Sequence, residues 1–227
     1  MGKITIQKYT TKEPITMIGY EAGVCWGADV SNDEKNYKRG IDCLEANHGR
    51  TFEFPDIYAT IDGYSARVIR EWYTHIGGAP TRLQASTRYI DYQSGFDYVI
   101  PDSIKKDEFA CNQYIECMDT ITTKLQYLDE LGIKREDSAM LLPLGMETKI
   151  VDKRNLRNVI DMSHQRECTR AYLEYRKMFN DYKRALSEYS EEWRYLVEHY
   201  FKPKCEVYGY CAEKKPCPRN PKKEVKQ

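Results

Sequence analysis

The sequence predicts an α+β fold, and three observations support this class. Segments rich in β-branched and aromatic residues predict strands, while apolar residues at spacings of three and four predict long helices. These segments do not alternate as regularly as in a doubly wound parallel sheet. With 227 residues the chain can bury one substantial core, so we expect one main domain.

The first two elements are predicted to be strands, over the stretches ITIQKYT (residues 4–10) and PITMIGYEAGV (residues 14–24). A helix should follow, because Ser31 or Asn32 can cap it and Tyr37, Ile41 and Leu44 recur at helical spacing. We expect this helix to end at Gly49.

A strand over residues 57–61, a turn at Asp62-Gly63 and another helix are predicted next. This helix should begin near Ser65 and bury Val68, Ile69 and Trp72. After it the chain breaks at Gly77-Gly78.

The clearest helical pattern covers residues 106–131 and should stop at Gly132. Its apolar positions are Tyr114, Met118, Ile121, Leu125 and Leu128. A connector with a short strand follows in LLPLGMETKIVD (residues 141–152). Asn155 can cap a second long helical region, over residues 156–199, with one or more breaks.

The composition changes after Phe201. Residues 202–227 contain four prolines and eight basic residues, which predicts an extended or partly disordered tail behind a single domain of residues 1–201. Five residues separate Cys205 from Cys211 and Cys211 from Cys217, unlike the tight spacing of a zinc ribbon. We therefore predict no metal site here.

The charge balance limits the classes of partner. Lys and Arg total 35 and Asp and Glu total 35, so no chain-wide field attracts nucleic acid or an acidic membrane. An anionic ligand must therefore meet a local arginine cluster. The sequence has no apolar run of about 18 residues and no signal-peptide pattern, which predicts a soluble, cytoplasmic protein without membrane partners.

Two segments hold candidate functional residues. In the first, Gly77-Gly78 can let backbone approach a ligand closely, and Arg82 and Arg88 supply fixed cations for phosphate or carboxylate. A solvated loop with ordinary arginines is the alternative. In the second, Arg166 is one of several charged residues spaced by four, which also suits a surface salt-bridge ladder.

The order of EWYTHIGG…ASTRY, LLPLGMETK and NLRNVIDMSHQRECTRAYLEY resembles the flavin-dependent thymidylate synthases. That family carries an Arg-His-Arg triplet followed by a serine in Ser-x-Arg-Tyr, a Leu-Pro-Leu connector and then Asn-x-Arg on an arginine-bearing helix. The resemblance spans residues 21–175. It implies a central, mostly antiparallel sheet flanked by long helices.

The resemblance implies transfer of a methylene carbon from methylenetetrahydrofolate to C5 of dUMP, followed by reduction with a hydride from FAD that NADPH has reduced, which gives dTMP. No protein nucleophile is then required. It also implies a homotetramer whose sites form between subunits.

The resemblance assigns residues to two ligands. For dUMP it implies contacts from Glu71, Trp72, Tyr73, Thr74, Gln84, Ala85, Ser86, Thr87, Arg88 and Arg166. For FAD it implies contacts from Thr51, Thr74, His75, Ile76, Gln84, Asn155, Arg157 and Asp161. Arg166 would contact the uracil ring and stabilise its developing negative charge, with Ser86 near the pyrimidine and Arg88 on the phosphate.

The sequence also departs from the family pattern. Thr74-His75-Ile76 keeps only the histidine of the triplet, and the family's phosphate-binding arginine, expected near Ala139, is missing. Arg82 is our candidate for the missing cation. Two rival functions remain open: a diverged flavoprotein that modifies another pyrimidine nucleotide, and a non-catalytic protein that binds nucleotides or nucleic acid through the basic tail.

Overall fold

A computed structural model describes residues 2–219, and within this range the chain forms two compact units. The first unit contains residues 2–3, 61–74 and 82–151, and the second contains residues 4–60, 75–81 and 152–219. None of the helices in this range has the length and apolar character that crossing a bilayer requires. The last eight residues of the expected tail lie outside the described residues.

The strands form one antiparallel sheet in the order β1-β2-β4-β3. Their bounds are β1 Lys3–Ile6, β2 Asp56–Ser65, β3 Thr81–Gln84 and β4 Glu147–Asn155. The helices are α1 Pro14–Cys25, α2 Asp33–Glu45, α3 Ala66–Trp72, α4 Asp102–Lys105, α5 Glu108–Glu130, α6 Arg135–Ser138, α7 Leu156–Arg166, α8 Leu173–Tyr189, α9 Glu191–His199 and α10 Lys204–Tyr208. This combination confirms the predicted α+β class.

The second predicted strand, residues 14–24, is instead helix α1, so that prediction was wrong. Pro14 occupies the first helical turn, where its missing N–H has little cost. Ile15, Ile18 and Ala22 are buried and recur at helical spacing. The β-branched residues favoured a strand, but strand preference depends strongly on tertiary context.

Contacts distant in sequence hold α1 in place. The carboxylate of Glu192 in α9 accepts hydrogen bonds from the backbone N–H groups of Ile15 (2.6 Å) and Thr16 (3.0 Å) and from the Thr16 hydroxyl (2.5 Å). A Cβ on Gly19 would lie 1.7 Å from the backbone oxygen of Asn36, so α1 and α2 approach at backbone distance. Neither contact is visible in the local sequence.

Several predicted boundaries are confirmed by side-chain caps. Asn32 accepts from Lys35 N (2.9 Å) at the start of α2, and Ser65 accepts from Val68 N (3.1 Å) at the start of α3. Two boundaries were wrong. Helix α2 ends at Glu45 before the expected Gly49, and β2 continues through the expected turn because Gly63 adopts φ +71 within the strand.

The two long helical regions are also present. Helix α5 ends just before Gly132, which has φ +72, as predicted. The region after β4 comprises α7, α8 and α9, and the Asn155 side chain caps α7 by accepting from Asn158 N at 2.9 Å. These helices carry much of the second unit's buried core.

The tail is more ordered than predicted. Residues 204–208 form α10, and Cys211 is buried, so an extended conformation is wrong for this part. An ion pair of 3.3 Å joins Arg170 to Glu213. Burial and this ion pair give these residues tertiary contacts that their composition does not reveal.

Candidate active site

His75 and Arg166 contact each other across 91 residues of chain, both in the second unit. The Nε of Arg166 donates a 2.8 Å hydrogen bond to Nε2 of His75. Burial, aided by the positive charges of Arg166 and Arg154, lowers the pKa of His75 to about 4. The imidazole is therefore neutral near pH 7, with Nε2 as an acceptor.

Tyr175 of α8 completes this arrangement. The Cζ atom of Arg166 lies 4.5 Å from the ring centre of Tyr175, and the His75 ring meets the same ring edge-on at 6.2 Å. Tyr175 is fully buried. A planar guanidinium with an acceptor in its plane and an aromatic ring at its face has a restricted orientation. The fold thus fixes the orientation of the Arg166 guanidinium, the group expected to stabilise the uracil.

The turn after His75 packs on the first turn of α7. The Nδ2 of Asn158 donates to the backbone oxygen of Gly77 at 2.6 Å. Gly78 has φ +70, and a Cβ there would lie 2.5 Å from Nδ2 of Asn155. The backbone at Gly78 therefore approaches the Asn155 side chain closely, and its approach to a ligand stays a prediction.

A buried ion pair lies behind this turn. Asp152 and Arg154 are on one face of β4, and their side chains have no exposed surface. The carboxylate accepts from Arg154 Nε at 2.5 Å and from Nη2 at 2.8 Å. This pair was not predicted from the sequence. Its signal was the strand alternation, because Thr148 and Ile150 share the same buried face.

Most of the residues expected at FAD lie in the second unit, while Thr74 and Gln84 lie in the first. Arg157 lies in the first turn of α7 and pairs with Glu53 at 2.6 Å. The Thr51 hydroxyl donates to the backbone oxygen of His48 at 2.8 Å. Asp161 and Ile76 are exposed, and Ile76 retains 70% of its surface. A cation beside a helix N-terminus suits the phosphates of a dinucleotide, so Arg157 fits FAD in charge, whereas a carboxylate at Asp161 does not.

The residues expected at dUMP are mainly in the first unit. Ser86 Oγ accepts from Arg88 N at 3.2 Å, which forms a tight local turn. Ala85 N donates to Lys149 O at 2.8 Å, and Gln84 Nε2 donates to the Thr148 hydroxyl at 3.3 Å. The turn therefore begins at a paired strand.

The flanking members of this set differ in exposure. Thr74 and Arg88 are exposed, while Glu71 and Tyr73 are half-buried. Trp72 has no exposed surface and belongs to the core of the first unit. Its indole therefore contributes to packing in this chain, and a contact with dUMP stays a prediction.

Arg82 and Arg135 are the two arginines to compare as replacements for the missing phosphate ligand. Arg82 donates to the backbone oxygen of Tyr73 at 3.1 Å and stacks over the Tyr73 ring at 4.3 Å. Arg135 lines a small cavity together with Thr87 and Ala139, and it lies 3.8 Å from a carboxylate oxygen of Asp91. Only Arg82 was predicted from the sequence, because Arg135 comes to the same cavity as Ala139 through the helical turn of α6.

A sequence profile of the family described as "Thymidylate synthase complementing protein" matches residues 6–190. The chain belongs to this family of flavin-dependent thymidylate synthases. The Clostridium tetani flavin-dependent thymidylate synthase is 34% identical, over 93% of this chain and 90% of its own. The enzyme of Pyrococcus furiosus is 26% identical, over 94% and 91% of the two chains.

Solved structures of flavin-dependent thymidylate synthases share the fold. The Helicobacter pylori enzyme ThyX, solved with FAD and dUMP, superimposes with a TM-score of 0.70 at 18% identity. The match covers 88% of this chain and 100% of that one. The resemblance inferred from the three sequence motifs is thus confirmed at the level of family and fold.

Only part of the cluster around His75 and Arg166 could be predicted from the thymidylate synthase motifs. The pairing of His75 with Arg166 joins two motifs, and the resemblance marked both residues. Tyr175, Asn158 and Arg154 belong to the same cluster. Asn158 and Tyr175 lie within the third motif but were given no role, and Arg154 lies one residue before it. Among residues 2–219 no group of three or more His, Cys, Asp or Glu side chains is arranged to hold a metal ion.

Proposed function

We propose that this protein is an FAD-dependent thymidylate synthase. It transfers the methylene carbon of methylenetetrahydrofolate to C5 of dUMP, and NADPH supplies the electrons through FAD to give dTMP. The observation that carries this proposal is the nearly full-length match to enzymes of that name, with both partners of the His75–Arg166 pair on the family's motifs.

Arg166 is the proposed catalytic residue. A guanidinium against the pyrimidine stabilises negative charge that develops on the ring during bond formation at C5. His75 accepts from Arg166 through a neutral nitrogen, so it orients the guanidinium without placing a negative charge beside it. Ser86 is proposed to lie near the pyrimidine and Arg88 to bind the phosphate.

FAD, when bound, supplies the hydride that completes the methyl group. Thr51, His75, Asn155 and Arg157 are proposed to hold it. Arg157 and the N-terminus of α7 offer positive charge to its phosphates, and the Arg157–Glu53 pair is exposed enough to exchange partners. Thr74, Ile76, Gln84 and Asp161 complete the proposed set.

The remaining proposals concern assembly and location. As the family resemblance implies, we propose a homotetramer in which subunits share active sites, so that the assigned residues of separate segments come together. The partners are the small molecules dUMP, methylenetetrahydrofolate and NADPH, and the location is the cytoplasm. No nucleic-acid partner is proposed, since the charges balance at 35 of each sign.

The test is anaerobic incubation of the purified protein with methylenetetrahydrofolate, NADPH and either dUMP or dCMP, with and without FAD. Chromatography of the nucleotides should show dTMP from dUMP only when FAD is present. A methylated product from dCMP alone would support the rival function, a diverged flavoprotein. The Thr74 and Ile76 replacements of the family's arginines motivate that second arm.

A further inference from the structure

We propose that Arg154 is a positioning residue that acts through Asn158 to fix the turn carrying His75. The inference rests on the proposed function for its effect on flavin binding. Its structural part, the placement of His75, stands on contacts within the second unit alone.

The buried ion pair is not explained by stability. Arg154 is 1% exposed and Asp152 is fully buried, and each loses its hydration on folding. Replacing such a pair by apolar residues of similar volume is often neutral or stabilising. The pair is therefore better explained by the hydrogen bond that the third guanidinium nitrogen, Nη1 of Arg154, donates to Asn158.

That nitrogen selects the orientation of Asn158. Nη1 of Arg154 donates to Oδ1 of Asn158 at 2.5 Å. The two ends of an amide are nearly equal in shape, but an arginine has only donors. It can therefore form a hydrogen bond only with the oxygen end of the amide. The Nδ2 donor must therefore face away from Arg154.

The Nδ2 donor of Asn158 contacts the turn that carries His75. Nδ2 of Asn158 lies 2.6 Å from the backbone oxygen of Gly77 and 3.5 Å from that of His75. A flipped amide would place an oxygen against these two carbonyl oxygens, which repel it. Arg154 thus selects the one amide orientation that holds the turn, and with it the imidazole that contacts Arg166.

The first experiment uses Asn158→Leu, which has similar volume, removes both bonds and changes no charge. We expect the His75 pKa, followed by NMR of the ligand-free protein, to rise by about one unit as the turn loosens and water reaches the ring. Resonances are assigned with His75→Gln. We also expect FAD affinity, followed by flavin fluorescence, to fall about tenfold.

The second experiment connects Arg154 to Asn158. The variant Asp152→Leu/Arg154→Met removes the pair without leaving a buried unpaired charge. It should lose the same tenfold in FAD affinity, and combining it with Asn158→Leu should cause no further loss, because both changes interrupt one relay. If the double variant does not fold, Arg154→Lys replaces it, since lysine keeps the charge without the fork of donors.

A matched control lies on the same strand. Lys153 is next to Arg154 on the opposite face of β4 and forms a 2.7 Å ion pair with Asp56. Asp56→Leu/Lys153→Met also removes one ion pair from this part of the chain. We expect it to leave the His75 pKa and FAD affinity at wild-type values.

Two results would overturn the proposal: an unchanged His75 pKa and FAD affinity in Asn158→Leu, or additive losses in the combined variant. Failure of the proposed function gives a different pattern. Wild-type protein would then bind no FAD, while the His75 titration of the ligand-free variants would still decide whether Asn158 positions the turn.

Discussion

At the scale of single residues, the neutral state of His75 follows from burial and from the cations next to it. Its pKa in the folded chain, about 4, lies below the model-peptide value of 6.5. The unfolded chain therefore binds more protons between these two values. The contribution of His75 to stability is complete above pH 6.5 and is lost as the pH falls towards 4.

Arg166→Gln should raise the His75 pKa. The substitution removes a positive charge that lies 2.8 Å from Nε2, so protonation becomes less costly. Because burial remains the largest cause of the shift, the new value should still lie below 6.5. NMR titration of the imidazole measures the change. An unchanged or lower pKa would show that the two side chains do not interact in solution.

Gly78→Ala should destabilise the protein more than Gly27→Ala. Both glycines have nearly the same positive φ, +70 and +67, so the backbone penalty is shared. A Cβ at Gly78 meets Asn155 at 2.5 Å, whereas nothing lies within 4 Å at Gly27. We expect an additional loss of about 1–3 kcal/mol in the free energy of unfolding, measured with urea. Equal losses would contradict the packing of the turn on α7.

Functional residues could be predicted where they lie in a family motif. Contacts that form only in the folded chain could not be predicted. His75 and Arg166 were marked by the resemblance, but their hydrogen bond was not. Arg154 was missed because charged residues on a strand are ordinarily expected to face solvent. The alternation with Ile150 did indicate a buried face.

At the scale of elements, α1 shows why its segment was mistaken for a strand. Its β-branched residues fit either structure, and its N-terminal cap is a carboxylate from α9, 177 residues away. The better predictions, α5 and α7, have their signals close by: Gly132 after one, and the Asn155 cap before the other. Local signals thus determined which elements could be predicted.

Glu192→Ala should lower the free energy of unfolding by about 1–2 kcal/mol, because α1 loses three hydrogen bonds to its cap. Glu191→Ala is the matched control. It lies in the same helical turn, but its side chain is 84% exposed and paired only with Arg194 in the described contacts. We expect its effect to stay within about 0.5 kcal/mol. Similar losses in urea denaturation would contradict the capping role.

At the scale of the whole molecule, the long helix α5 is mostly uncovered within one chain. Only Met118 and Leu125 are buried among its 23 residues, while Phe109 and Tyr127 keep 76% and 56% of their surface exposed. Apolar surface of this kind often marks an interface between subunits. The sequence pattern of α5 showed the helix but did not show what covers it.

Sedimentation equilibrium should report a mass of about four 26.7 kDa chains if the proposed homotetramer forms. Association would cover apolar side chains such as Phe109 that are exposed in the single chain. Ligand-free protein at micromolar concentration is the sample. A single species near 26.7 kDa would contradict both the tetramer and the sharing of active sites between subunits.

The most direct measurement is the rate of dTMP formation from dUMP by wild type, Arg166→Gln and the control Arg194→Gln. Arg194 is an exposed arginine of α9 that pairs with Glu191. We expect FAD-dependent dTMP from wild type and from the control, and a loss of about a hundredfold or more in kcat/KM for Arg166→Gln. Wild-type activity in Arg166→Gln, or no dTMP from wild type with bound and NADPH-reduced flavin, would contradict the proposed active site.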